Sequence, residues 1–206
     1  VRAVDGVVNA YSDTTVGLDS PDASIRLGDI HADDGIAISA TGQDSNGVSS
    51  SIIGTDLGTI VSSGSVSLVA AANITGGTED SDGIYQADLD KNLQLDLLDG
   101  HALYVEAGGI ARVEQQSTTV DLNLVLANTR GTQATQSIYK AGANLLVGQV
   151  SSAGNVLLEA DRSILNNTSV GQRQYANVVL TEMSADDLDA LGYRREITLV
   201  AGDAIG

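Results

Sequence analysis

Residues 57–70 read Leu57-Gly58-Thr59-Ile60-Val61-Ser62-Ser63-Gly64-Ser65-Val66-Ser67-Leu68-Val69-Ala70, and this motif occurs three times in the chain without a gap. The other two copies cover residues 27–40 and 147–160. All three follow the order aliphatic, Gly, any, Ile/Val, any, small, any, Gly/Asp, any, Ile/Val, any, Leu/Ile, any, Ala. Internal repetition of this kind is typical of repeat architectures.

Apolar residues alternate with polar or small ones inside each copy, as at Val66, Leu68 and Ala70. Period two places every second side chain on one face, so each copy predicts short β-strands with one buried face. A cluster such as Ser62-Ser63-Gly64 predicts the turn between two strands. The final strand of the motif recurs twice more, at residues 103–107 and at residues 197–201.

The spacing of the copies predicts how the strands stack. Gly28 and Gly58 are 30 residues apart, and Gly148 follows Gly58 after 90 residues, which is three such steps. A unit of this size cannot bury its apolar face alone, whereas stacked units bury a continuous column and pair each strand in parallel with its copy. The sequence therefore predicts an all-β solenoid of about seven coils across residues 1–206, as a single segment.

The composition restricts the kinds of site and partner that the chain can have. Hydrophobic residues make up 42% of the chain, yet Phe, Trp and Cys are absent, which indicates a narrow aliphatic core and excludes thiolate metal sites. The formal net charge of −17 argues against nucleic acid and anionic membranes as partners, because both require basic surface. No run of 18 apolar residues occurs, so no membrane insertion is expected.

Several segments depart from the repeat. Residues 41–51 and 76–83 are polar and contain Gly, so they predict loops. Ser184 precedes acidic residues and Gly192 follows them, so residues 181–192 predict one short helix with Ser184 as its N-cap. Interruptions of the stack are expected at three ranges, namely residues 76–92, 128–145 and 167–192.

Residues 58–70 with Asn73-Ile74, residues 148–160 with Ile164, and residues 197–205 resemble the repeats of filamentous haemagglutinin-like exoproteins, G-x-I-x-S-x-G-x-V-x-L-x-A-x-x-x-I. The resemblance implies a right-handed parallel β-helix, export to the cell surface, and a role in adhesion or as a structural scaffold. The chain is then expected to be an internal part of a longer secreted chain. Its expected partners are a host or neighbouring cell surface, a glycan or a matrix protein. The resemblance implies no particular binding residue.

Calcium is the metal that the residues suggest. Asp80-Ser81-Asp82-Gly83 lies close to Asp88 and Asp90, and Asp33-Asp34 forms a second acidic turn. Calcium binds six to eight oxygen ligands, several of them from one loop. The bidentate Glu that ends an EF-hand loop is missing. The set Asp80, Asp82, Asp88 and Asp90 is the candidate site, and solvated acidic turns are the alternative interpretation.

Two further functions stay open. Parallel β-helices include enzymes that act on polysaccharides, and Asp186-Asp187 near Arg194-Arg195, or Asp33-Asp34 beside His31, offer paired carboxylates for glycoside cleavage. No nucleophile triad, phosphate loop or zinc spacing accompanies them, so the sequence favours a protein that is not an enzyme. The second alternative is self-assembly into a filament or sheath through exposed strand edges.

Overall fold

The computed structural model describes residues 2–4, 6–56, 58–131, 135–167, 177–180 and 196–206. These residues form twenty strands and no helix. In chain order the strands are β1 (Arg2–Val4), β2 (Val7–Ser12), β3 (Thr15–Ser20), β4 (Ile25–Ala32), β5 (Gly35–Ala40), β6 (Ile52–Gly54), β7 (Ile60–Ser62), β8 (Ser65–Ala70), β9 (Ile74–Glu79), β10 (Tyr85–Ala87), β11 (Leu93–Leu97), β12 (Ala102–Ala107), β13 (Arg112–Gln115), β14 (Leu122–Thr129), β15 (Gln136–Ala141), β16 (Leu145–Ser152), β17 (Asn155–Ala160), β18 (Ile164–Asn166), β19 (Asn177–Leu180) and β20 (Ile197–Ala201). The all-β class is therefore confirmed, and the helix predicted at residues 181–192 lies outside the described residues.

The strands form two sheets. Sheet A has twelve strands, and its main path runs β10-β9-β6-β4-β7-β11-β13-β15-β17-β20, with β2 paired to β4 and β1 paired to β2. Sheet B has eight strands in the order β18-β16-β14-β12-β8-β5-β3, with β19 also paired to β16. Every pair in sheet B is parallel, and among the described strands sheet A has two antiparallel pairs, β1 with β2 and β9 with β10. Sheet B therefore has seven levels within the described residues.

The repeated strands pair with their own copies, as the motif predicts. Ile36 of β5 lies beside Val66 of β8, and Leu103 of β12 lies beside Val66 on the other side. Near the end of the chain Ile197 lies beside Val156, 41 residues earlier. Ile36, Val66 and Leu103 are buried, so these register matches continue a buried column by one aliphatic side chain each, whereas Ile197 is exposed.

The core between the sheets is narrow, as the composition predicts. Among the described residues the buried hydrophobic side chains are Val, Leu, Ile and Ala, with one aromatic, Tyr139. Tyr139 is fully buried, and burial raises the pKa of its hydroxyl well above the usual range. Small and medium aliphatic side chains suffice because only short strands face one another across the core.

The uniform 30-residue step is wrong. Val16 pairs with Ile36 after 20 residues, and Ala141 pairs with Ala160 after 19. The 30-residue step from Ile36 to Val66 contains the loop at residues 41–51, which has no strand and carries the isolated antiparallel bridge Gln43–Ser49. Paired strands therefore lie as little as 19 or 20 residues apart in the chain, and the 30-residue step contains an insertion.

The third copy of the motif visits the two sheets in the reverse order. In the first two copies the strands holding Ile30 and Ile60 belong to sheet A, and the strands that follow, β5 and β8, belong to sheet B. In the third copy Val150 lies in sheet B and the following strand, β17, lies in sheet A. The motif therefore encodes a strand, a turn and a second strand, and it does not encode which sheet comes first.

The Gly of the motif marks a division in a long strand. The two halves of β4 pair with different strands on either side of Gly28, β6 before it and β7 after it. The two halves of β16 likewise pair with β18 and β19 on either side of Gly148. A Cβ atom at Gly148 would lie 2.3 Å from the carbonyl oxygen of Val125 in the neighbouring strand. The motif therefore requires Gly because the backbones approach closely at this position.

The turn inside the motif is held by its Ser. In the second copy the amide of Gly64 donates to Ser62 Oγ over 3.1 Å, and in the third copy Gly154 donates to Ser152 Oγ over 3.1 Å. Both hydroxyls are buried, so each hydrogen bond satisfies a polar group that water does not reach. The Ser-x-Gly part of the motif thus has a local structural role.

One of the expected interruptions is corrected, and the one at residues 167–192 stays a prediction. Residues 128–145 contain the end of β14 and all of β15, and β15 pairs in parallel with both β13 and β17. Gln136–Ala141 are thus part of the regular sheet. Residues 167–192 include β19, which pairs with β16, and the remainder of that range beyond Asn167 lies outside the described residues.

Candidate functional site

Residues 76–92 form the most distinct departure from the parallel stack. The loop predicted at residues 76–83 is wrong in part, because β9 continues through Glu79 and pairs antiparallel with β10. Glu79 lies beside Tyr85, and the turn between them contains Gly83 at φ 78°. We call residues 76–92 the hairpin insertion. It carries all four residues of the predicted calcium site.

Asp80 holds the turn of the hairpin insertion together. Its Oδ1 accepts hydrogen bonds from the amides of Asp82 and Ile84, each at 3.0 Å, and its Oδ2 accepts one from Gln86 Nε2 at 3.1 Å. The amide of Ile84, together with the Gln86 side chain, lowers the pKa of the exposed Asp80 carboxyl. Asp80 is therefore an ionised turn residue whose oxygens are already hydrogen-bonded.

The same turn occurs a second time, which the sequence analysis missed. Residues 44–48 read Asp-Ser-Asn-Gly-Val and residues 80–84 read Asp-Ser-Asp-Gly-Ile. Asp44 Oδ1 accepts from the amides of Asn46 at 2.8 Å and Val48 at 2.9 Å, as Asp80 does in its own turn. The recurring Asp-Ser-x-Gly-aliphatic pattern was visible in the sequence. Its spacing differs from that of the main repeat, and for that reason it was overlooked.

Asp88 supports the second turn of the hairpin insertion. Its Oδ2 accepts a short hydrogen bond from Thr78 Oγ1, and its Oδ1 accepts from the amide of Asp90 at 2.9 Å. The Thr78 hydroxyl and the Asp90 amide both lower the pKa of the Asp88 carboxyl. Asp90 itself is fully exposed and lies 3.6 Å from Arg112 Nη1.

The structure thus places the four predicted calcium ligands on two successive turns, with Asp80 and Asp88 already hydrogen-bonded to amides. Among the described residues, no group of three or more His, Cys, Asp or Glu side chains is arranged to hold a metal ion. The oxygens of Asp82 and Asp90 face solvent. The calcium site stays a prediction.

Three cations fasten the hairpin insertion to the parallel sheet. Arg26 Nε donates to the carbonyl of Tyr85 over 2.6 Å, and Lys91 Nζ contacts Asp56 Oδ1 over 2.6 Å. Arg112, whose side chain is 17% exposed, donates to the carbonyl of Leu89 and to Asn92 Oδ1. Arg26 and Lys91 are two of the three basic residues among the first hundred. Most of the basic residues among the first hundred therefore contact the acidic hairpin insertion or belong to it.

A cleft of about 510 Å³ lies beside the turn of the hairpin insertion. It is lined by Arg26 and Gly6 and, from the hairpin insertion, by Glu79, Asp82, Gly83 and Ile84. The lining combines one guanidinium, two exposed carboxylates and one aliphatic side chain. This chemistry suits a polar or cationic group at the surface and does not arrange a nucleophile with a base.

Of the residues suggested for catalysis, the structure describes those around His31. His31 Nε2 lies 3.3 Å from Asp33 Oδ1, and both side chains are about half exposed. Asp34 is exposed. The other candidate group, Asp186-Asp187 with Arg194-Arg195, lies outside the described residues.

A polar ladder crosses the outer face of sheet A. Lys140 Nζ lies 3.5 Å from Glu114 and 3.6 Å from Glu159, on consecutive strands. Glu114 also accepts from Asn92 Nδ2 at 3.1 Å and from Gln94 Nε2 at 3.4 Å. Burial raises the pKa of Glu114, but these hydrogen bonds and the Lys140 charge together lower it below its usual value. The ladder links levels of the stack through side chains.

Comparison with protein-family models, with curated proteins and with solved structures finds no match for this chain. Within the described part of the chain, no helix is both long enough and apolar enough to cross a membrane. The functional argument therefore depends on the geometry of this molecule.

Proposed function

We propose that this chain is a segment of a right-handed parallel β-helix that serves as a structural or adhesive element on a cell surface, without catalysis. One observation carries the proposal, a single buried column through six consecutive strands of sheet B. The column consists of Val16, Ile36, Val66, Leu103, Leu124 and Val147. Each residue is paired in register with the next, as successive coils of a solenoid require.

Sheet A supports the same interpretation with a longer column. Its members are joined in register from one strand to the next: Ala10, Ile30, Ile60, Leu95, Gln115, Ala141, Ala160 and Ala201. Because each level contacts only its neighbours, such a stack is long, stiff along its axis and extended by adding coils. These properties suit a spacer or a display surface, and they require no active site.

The outer surface supports a role in attachment. The hairpin insertion projects from the regular stack, and three cations hold it in place. Insertions on one side of a repeat array commonly carry its binding function. We propose a glycan, a matrix protein or the surface of a host or neighbouring cell as the partner, and a secreted or surface location for the chain.

Self-assembly is a second candidate because of one specific observation. Leu199 of β20 is 39% exposed, whereas its register partner Leu158 is 1% exposed. Among the described residues, β20 pairs with β17 alone. A further level on this edge would bury Leu199, and it can come from more coils of the same chain or from a second copy.

The proposal is tested by attaching the chain to beads and measuring retention on glycans, matrix proteins and cells, against beads without protein. A parallel assay incubates the free chain with polysaccharides and measures new reducing ends. Retention without new reducing ends supports an adhesive element. New reducing ends would overturn the proposal and favour a polysaccharide-acting enzyme. Absence of retention together with concentration-dependent filaments in electron micrographs would favour self-assembly instead.

A further inference from the structure

The turn at residues 44–48 contains Asn46 followed by Gly47, and both residues are exposed. Gly47 adopts φ 78°, and a Cβ atom built on it would meet nothing within 4 Å. Gly47 therefore has no side chain next to its backbone nitrogen, and no other residue crowds the place where one would lie. Asn followed by Gly is the pair in which this nitrogen reaches the side-chain amide carbon most easily, because Gly is the least hindered residue.

We propose that Asn46 is a site of self-modification, in which the Gly47 nitrogen attacks Cγ of Asn46. A bond forms between this nitrogen and Cγ, the Cγ–Nδ2 bond breaks, and the side-chain nitrogen leaves as ammonia with the proton of the backbone amide. Water then opens the cyclic imide at one of its two carbonyls. One opening gives Asp at position 46, and the other gives isoaspartate, in which the backbone runs through Cγ.

The turn controls the rate of this reaction. The amide of Gly47 donates to the carbonyl of Asp44 over 2.9 Å, so the attacking nitrogen is engaged while the turn is closed. Asp44 Oδ1 holds the flanking amides of Asn46 and Val48 at 2.8 and 2.9 Å. The attack requires the turn to open, and opening breaks hydrogen bonds to a carboxylate, which are stronger than neutral ones. Asp44 is therefore a positioning residue that slows the modification.

The twin turn at residues 80–84 identifies the product that the fold accepts. Asp82 occupies the position of Asn46 there, with the amides of Asp82 and Ile84 on Asp80 Oδ1 at 3.0 Å each. The aspartate product at position 46 thus reproduces a turn that the chain already contains. Isoaspartate adds one carbon to the backbone between the two amides that Asp44 holds, so it cannot keep both hydrogen bonds. Each conversion adds one negative charge to the chain.

The experiment incubates the folded 206-residue chain at mildly alkaline pH and follows residues 41–51 by peptide mass and by isoaspartate content. The same chain unfolded in guanidinium chloride gives the rate without the turn. The variants are Asp44→Ala, Asp80→Ala as the matched change in the twin turn, and Asn46→Gln, whose longer side chain cyclises far more slowly.

We expect conversion at Asn46 in the folded chain, slower than in the unfolded chain, and about tenfold faster in Asp44→Ala than in the natural sequence. Asp80→Ala should leave the rate at Asn46 unchanged, and Asn46→Gln should abolish the product. No conversion in either the folded natural chain or Asp44→Ala, while the unfolded chain converts, would overturn the site. Equal rates for Asp44→Ala and the natural chain would overturn the claim that the turn held by Asp44 slows the modification. The outcome is independent of the proposed surface role.

Discussion

The side chain of Gln115 hydrogen-bonds the backbone of Leu97 in the way that a neighbouring strand would. The amide of Leu97 donates to Gln115 Oε1 over 2.9 Å, and Gln115 Nε2 donates to the carbonyl of Leu97 over 3.0 Å. Both residues are buried. The side-chain amide thus forms the two hydrogen bonds that a neighbouring backbone would form, just beyond Leu95, where the pairing of β11 with β13 ends.

Gln115→Leu is expected to lower the free energy of unfolding by about 2–4 kcal/mol, because the buried amide and carbonyl of Leu97 lose their partners. Urea denaturation followed by circular dichroism measures the change. Gln116→Leu is the matched control, since Gln116 is exposed and its side-chain amide donates to the side chain of Gln94 at the surface. An effect of Gln115→Leu no larger than that of the control would contradict this role.

Gly64→Ala is expected to destabilise the fold by about 3 kcal/mol. A Cβ atom on Gly64 would lie 1.6 Å from the carbonyl oxygen of Asp34 in the level below, so the two backbones must separate. Gly17→Ala is the control, because a Cβ atom there meets nothing within 4 Å. Thermal unfolding of the two variants should differ strongly, and similar melting temperatures would show that the levels are less closely stacked than described.

Arg112→Gln is expected to loosen the hairpin insertion while the parallel sheets stay folded. The substitution removes the contacts of the guanidinium with the carbonyl of Leu89 and with Asp90. Cleavage within residues 76–92 by a protease should become about three- to tenfold faster, because local opening costs less free energy. The exposed Arg130, changed to Gln, is the control. Cleavage outside residues 76–92 instead would mean that Arg112 supports the whole stack.

The polar ladder predicts a pH dependence. The folded-state pKa of Glu114 is lower than its usual 4.5, so ionised Glu114 stabilises the fold above the unfolded-state pKa. This stabilisation is lost as the pH falls through the folded-state pKa. Glu114→Gln should therefore lose less stability than the natural chain between neutral pH and about pH 3. Glu106→Gln, at an exposed position, should follow the natural chain, and parallel curves for all three would contradict the prediction.

The predicted calcium site is tested with a chelator. If Asp80, Asp82, Asp88 and Asp90 bind calcium in the folded chain alone, calcium raises the melting temperature and a chelator lowers it. Asp82→Asn with Asp90→Asn leaves the hydrogen bonds of Asp80 and Asp88 in place and should abolish that difference. An unchanged melting temperature on adding calcium or chelator would remove the calcium hypothesis.

The strands of the fold were predictable, because alternation with period two determines which side chains are buried whatever the neighbouring strand is. Val66, Leu103 and Ile197 were recognised as equivalent strand positions, and their pairings with copies follow that expectation. The number of residues between one strand and the strand it pairs with was not predictable from the spacing of the motif copies. An insertion such as residues 41–51 changes the spacing between copies without changing the strands that pair.

The candidate site was predictable only as a set of acidic residues. Asp80 and Asp88 were identified, but their hydrogen bonds to turn amides depend on the hairpin that β9 and β10 form. The contacts of Arg26 and Arg112 with that hairpin join residues far apart in the chain. No local pattern predicts such contacts, because they depend on which levels of the stack come together.

The sequence by itself determined the class of structure: short strands, an aliphatic core and repeated Ser-x-Gly turns, all set by local side-chain periodicity and turn chemistry. Only the tertiary structure decided that the third motif copy visits the two sheets in the reverse order. It also decided that the side chain of Gln115 hydrogen-bonds the backbone of Leu97. The physical reason is that one motif fits either sheet equally well. Its place is therefore fixed by the lengths of the intervening insertions and by the backbone groups left to be satisfied.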